Sequence, residues 1–267
     1  MSLSVKKGNG GYIGADTRAN VTSSVGSLSI KKHYLERLSD NFTPPAPGSA
    51  NILFQDNFST GDLSKWTVLN GSEPSDWIVG TGTNNSSGTP VTIPSGSTYA
   101  AYISNNGSTN VYSSNTDVHM YFDFDIPAGA TSLTLTFEWM CWGERAIGAG
   151  SYDYGYIIFA DPSLFTPSAG TEYASLSGTG YERIIGSNVA DNTDSGKFTG
   201  DGTGCRSVNT SKDNFVPENI TIDGTEISTG TLWSPGSTRR LVFSWASDSS
   251  VTDDPSWTVA NVKLIYS

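Results

Sequence analysis

RRLVFSWASDSSVTDDPSWTVANVKLIYS, residues Arg239 to Ser267, carries the clearest statement of the fold. Leu241, Phe243 and Trp245 alternate with Arg240, Val242 and Ser244. A loop rich in Asp and containing Pro255 follows. Then Ala260, Val262, Leu264 and Tyr266 alternate with Asn261, Lys263 and Ile265. Successive side chains of a strand point to opposite faces, so a period of two marks a strand with one face on a core. Two such runs with a Pro-containing turn between them predict two strands of a β-sandwich.

Upstream the same alternation recurs. Val118, Met120, Phe122 and Phe124 alternate with His119, Tyr121, Asp123 and Asp125, which places His119 and both Asp on an exposed face. Leu133, Leu135, Phe137, Trp139 and Cys141 share one phase, and Tyr154 to Phe159 forms a further strand. Phe122, Phe137, Trp139, Phe243, Trp245, Val262 and Leu264 are therefore expected to meet between two sheets roughly 10 Å apart. Composition agrees. The 267 residues include 29 Gly and only 15% charged side chains, which suits short strands and polar loops. Seven Trp, twelve Tyr and eleven Phe supply a large core. Cys141 reads as a small buried thiol, with a disulfide to Cys205 as the alternative; no CxxC spacing supports a metal.

Charge divides the chain. Residues 1–47 carry six basic and three acidic side chains, a net of +3 within a total of −11. The acidic remainder argues against nucleic-acid binding, which needs clustered Lys and Arg. No run of about 18 apolar residues is present, so no membrane span is expected. The opening MSLSVKKGNGG lacks an apolar core and is not expected to be a secretory signal. Within the arm, Ile30, Tyr34 and Leu38 recur at helical spacing, with Leu35 widening the stripe, so residues 1–42 predict an arm with one short α-helix. Tyr12 lies in its glycine-rich turn. Residues 43–50 form a Pro-rich linker, and 51–267 the sandwich domain. So short a helix is marginal alone and needs a partner for its stripe. Docking onto another subunit through Tyr12, Ile30, Tyr34, Leu35 and Leu38 is the expectation, with packing on its own domain as the alternative.

Catalytic patterns are weak. Asp123 and Asp125 share the face opposite Phe122 and Phe124, and Glu138 and Glu144 flank the Trp139/Trp142 run. His33 and His119 are the only histidines, and no GxSxG, HExxH or P-loop pattern occurs. A non-enzyme is expected. No cofactor is called for beyond structural calcium, whose candidate ligands are Asp191, Asp194 and Asp201 in one loop and Asp248, Asp253 and Asp254 in another. Trp142, Tyr152, Tyr154, Tyr181 and Trp233 are the candidates for stacking on sugar rings, though most of them are expected to fill the sandwich or an intersubunit seam.

Two resemblances add to this reading. The Arg240–Trp245 strand and the Val259–Leu264 strand resemble the close of choice-of-anchor J domains, jelly-roll modules related to MAM and concanavalin-like sandwiches. Phe58, Trp66 and Trp77 resemble the opening of such modules, and Thr98–Ser104 one of their strands. That likeness implies an all-β jelly roll that binds glycans or proteins. In the arm, Gly10 to Gly14, Ser27, Leu28, Tyr34, Leu35, Arg37, Leu38, Asn41 and Phe42 resemble a short module of tailed-phage virion structural proteins. This implies a virion protein at the particle surface, made in the host cytoplasm. It would be held to capsid or tail proteins by its arm, as a homo-oligomer, and would reach surface glycans. A carbohydrate- or protein-binding module of a bacterial surface protein is the alternative.

Overall fold

The computed structural model describes residues 51–146, 150–184, 196–199, 213–224, 232–250, 252 and 254–267. The arm, its helix and the linker fall outside the described residues, and with them Tyr12, Ile30, Tyr34, Leu35 and Leu38. Cys205, Asp191, Asp194, Asp201 and Asp253 fall outside them too. The described residues are all-β. In chain order the strands are β1 (Ile52–Asp56), β2 (Thr67–Leu69), β3 (Asp76–Gly80), β4 (Ala100–Ser104), β5 (Thr116–Asp125), β6 (Leu133–Met140) and β7 (Arg145–Ala146). They continue with β8 (Gly150–Ser151), β9 (Tyr154–Ala160), β10 (Ser177–Gly178), β11 (Tyr181–Arg183), β12 (Val216–Ile222), β13 (Thr238–Ser247) and β14 (Thr258–Tyr266).

Two antiparallel sheets of six strands face each other. The first runs β12-β6-β14-β4-β3, with β1 also on β14; the second runs β10-β11-β9-β13-β5-β2. The seven core residues named from their phase all lie in the central cluster between the sheets. Trp257 sits among them, its ring 5.5 Å from Phe243 and 5.3 Å from Phe198, stacked on both. The opening corner is held by Asp56, whose carboxylate accepts from the backbone N–H of Phe58 and from Trp66 Nε1, both at 2.9 Å. Cys141 is buried in the same core, as its phase predicts.

Three expectations need correction. The alternation of β14 is interrupted at Asn261, where φ is 51° and the register with β6 shifts between Ala260 and Lys263. This bulge moves Val259, Val262 and Leu264 onto the core, while Ala260 packs on the other side with Ala100 and Tyr102. It also marks the switch of partner along that edge, from β4 at Thr258 and Val259 to β1 from Val262 on.

Second, β13 is buried on both faces. Residues 161–176 cross the outer side of the second sheet, and Phe165 and Tyr173 pack there with Val242, Ala246 and Tyr156. Third, His119 is fully buried under the same segment, not exposed. Its Nδ1 lies 2.9 Å from Ser244 Oγ and its Nε2 3.1 Å from Ser168 O. Burial holds its pKa down at about 4, so the ring is neutral near pH 7.

Candidate functional site

On the outer face of the first sheet, alternation along β6 sends Thr134, Thr136 and Glu138 away from the core. Residues 83–91 fold over this face as a small hairpin. Asn85 N–H donates to Thr89 O at 2.8 Å and Val91 N–H to Thr83 O at 2.6 Å, with Gly88 at φ 74° turning the tip. Buried Asn110 clamps the base, its amide bonded to both Asn84 N–H and Asn84 O at 3.0 Å. At the tip, Ser86 Oγ donates to Asp213 Oδ1 at 2.8 Å and so joins the hairpin to the turn before β12.

Between hairpin and turn lies a groove of about 680 Å³. Asn85 and Ser87 line one side, Asp213, Asn214 and Phe215 the other, and Glu138 lies on the sheet between them. The β14 bulge sets Glu138 in place. Asn261 Nδ2 donates to Glu138 Oε2 and to Ser95 O, both at 3.1 Å, while Ser97 Oγ donates to Asn261 Oδ1 at 2.8 Å. Beyond Asn261 a second hollow of about 210 Å³ is lined by Asn57, Gly96 and Lys263. Amides, carboxylates and one aromatic ring in a concave site suit a hydroxyl-rich ligand. Of the groove, only Glu138 was named from sequence. Asn85, Asp213, Asn214 and Phe215 sit in turns whose residue types signal a turn and nothing more.

A second constellation occupies one end of the sandwich. Glu144, Asp153 and Asp248 offer carboxylate oxygens within 4.8 Å of one another. Fully buried Asp153 accepts from Tyr112 Oη at 2.6 Å and from the backbone N–H of Asp248 at 2.9 Å. Burial above all, with the charges of Asp248 and Glu144 adding to it, pushes its pKa up to about 7. A proton thus already relieves part of the repulsion, and a cation there would have to displace it. Of the two calcium candidates among the described residues, Asp248 belongs to this cluster and Asp254 does not. Asp254 instead accepts from the backbone N–H of Tyr112 at 3.2 Å.

The remaining candidates are scattered. Trp142 and Tyr152 lie at the acidic end, half-buried and 38% exposed respectively. Tyr154 is not a stacking platform: its ring is 2% exposed, its hydroxyl donates to Glu172 at 2.5 Å, and Lys197 Nζ sits 4.0 Å from its centroid. Tyr181 packs on Phe165 and Tyr173 at 4.5 and 5.7 Å. Trp233 is partly buried against the central core. Glu138 and Glu144 do not form a pair, since one lies in the groove and the other at the acidic end. Asp123 is bound by Arg240 through two bonds of 2.7 and 2.9 Å, and Asp125 accepts from Thr238 Oγ1 at 2.6 Å.

No protein-family model and no curated protein sequence matches the chain. Among solved structures it is similar to the enzymatically active domain of tailspike protein 4 from bacteriophage CBA120. Identity there is 10% and the TM-score 0.43, over 81% of this chain and 22% of that one. It is also similar to TmCBM61, solved in complex with β-1,4-galactotriose, at 12% identity and a TM-score of 0.36, over 82% of this chain and 100% of that one. The K1 cleaved adhesin domain of Lys-gingipain from Porphyromonas gingivalis W83 is 14% identical with a TM-score of 0.39, over 79% of this chain and 96% of that one. This chain spans about a fifth of the tailspike domain's length.

Proposed function

We propose that this chain is a non-enzymatic structural protein of a phage virion, with a jelly-roll sandwich displayed outward as a glycan-adhesive head. Residues 1–42 would dock onto capsid or tail proteins, as their likeness to a virion module suggests. The observation that carries adhesion is the groove beside Glu138: solvent-facing, polar, flanked by Phe215 and braced by hydrogen bonds before any ligand arrives. A braced site loses little freedom on binding. Several copies on one particle would multiply a weak individual affinity.

The test has two arms. The full chain should cosediment with particles assembled without it and retain host surface polysaccharide, while residues 43–267 alone should keep the polysaccharide and lose the particle. Cosedimentation of the fragment at the occupancy of the full chain overturns docking by the arm. If the full chain ignores particles yet holds glycan, the module of a bacterial surface protein becomes the better reading.

A further inference from the structure

We infer that the groove beside Glu138 is a saccharide subsite that accepts neutral and amine-bearing sugars and rejects anionic ones; this rests on the adhesive reading above. The first support is the charge of the groove. Glu138 and Asp213 both line it, and no Lys, Arg or His stands among its described lining residues. The chain as a whole carries a net charge of −11. A sugar carboxylate or sulfate placed there would lose water against the like charge of Glu138 and Asp213, with no cation among the described lining residues to receive it. A hydroxyl or ammonium group would find acceptors.

Those acceptors are oriented in advance. Glu138 Oε2 is taken by Asn261, while Oε1 has no hydrogen bond among the described residues. Asp213 Oδ1 is taken by Ser86, while Oδ2 has no hydrogen bond among the described residues. Donors are matched to them. Asn85 Oδ1 accepts from the backbone N–H groups of Ser87 and Thr89, both at 2.9 Å, which fixes the amide and leaves Nδ2 to donate. Phe215 supplies the apolar contact: it packs on the Ala100–Tyr102–Ala260 cluster, so one side of the ring is braced against the sheet. An aromatic face beside paired donors and acceptors matches a pyranose, which is apolar on its C–H face and polar at its rim.

The full chain is screened on a glycan array. It is then titrated calorimetrically with galactotriose, the trimers of N-acetylglucosamine and of glucosamine, and trigalacturonate. Binding of a neutral or amine-bearing trimer at least ten-fold tighter than trigalacturonate is expected. Glu138→Gln should weaken glucosamine trimer at least five-fold and narrow the gap to trigalacturonate. Because Phe215→Ala risks the packing beneath it, Ser87→Trp is the blocking variant, since it fills the mouth from an exposed hairpin position and should abolish binding. Trigalacturonate binding as tightly as the neutral trimers overturns the inference. So does glycan binding untouched by both Glu138→Gln and Ser87→Trp, an outcome that leaves adhesion standing at another site. Failure to bind any sugar on the array or in the titrations overturns adhesion itself and this inference with it.

Discussion

Trp257 occupies the middle of the core because position 155 has no side chain: a Cβ on Gly155 would lie 2.0 Å from Trp257 Cδ2. Gly155→Ala should therefore cost about 2–3 kcal/mol by overpacking, seen as a lower denaturant midpoint with an unchanged slope. Truncation tests the core in the opposite sense. Phe137→Ala and Trp245→Ala should each cost ~3–5 kcal/mol, against ~0.5 kcal/mol or less for half-exposed Thr136→Ala. Equal losses in the two groups would overturn the assigned strand phase. Asp123 shares the outward phase of a solvated residue yet binds Arg240, which is only 7% exposed. Asp123→Asn should therefore cost about 1 kcal/mol, the partial exposure of the pair keeping the figure low. The apolar phase of these strands was legible because large side chains have one good place to go. Neither the need for Gly155 nor the tie to Asp123 was, since each depends on a residue about 100 positions away in sequence.

Among the elements, the two corrections to strand burial share one cause. Binary alternation reports how many faces a strand hides only when nothing crosses the second face, and residues 161–176 cross it. Val242 and Ala246 could have signalled a doubly buried strand; Ser244 and His119, which satisfy each other, concealed it. The bulge escaped notice because Asn261 fits an alternating run in letters while its backbone turns left-handed. Buried titratable groups also make stability depend on pH. Asp153 and Asp117 are both pushed up to about 7, chiefly by burial, with Glu172 and Glu73 adding repulsion at Asp117. Folding therefore takes up protons at both between about pH 4 and 7, and their contribution is lost as pH rises through 7. His119 acts in the opposite direction, its contribution falling away as pH drops from 6.5 toward 4. The melting temperature should thus fall between pH 6 and pH 8, and Asp153→Asn should flatten part of that fall. A fall of the same size in the variant would show that Asp153 is not one of its sources.

For the molecule as a whole, the two-sheet architecture was legible from four alternating runs. The groove beside Glu138 was not, because it is assembled from a hairpin at 83–91, a turn at 213–215 and one outward residue of β6. Loop composition marks such pieces as turns without saying which of them meet. The docking reading of the arm is tested at this scale too: Tyr34→Asp or Leu38→Asp should reduce particle occupancy while leaving the melting of the sandwich unchanged, since a charge would enter an apolar contact outside it. A drop in both would place the stripe against the sandwich itself. The position of β14 reaches further. The nine residues of β14 lie inside the first sheet, with β6 on one side and β4 and β1 on the other. On a ribosome the other described strands emerge before β14, and β1 must wait for its partner some 200 residues later. Until β14 clears the exit tunnel, the first sheet remains two strand pairs, β12-β6 and β4-β3, and a β1 without its sheet partner. A nascent chain stalled or cleaved before residue 258 would lack the one strand on which β6, β4 and β1 all pair.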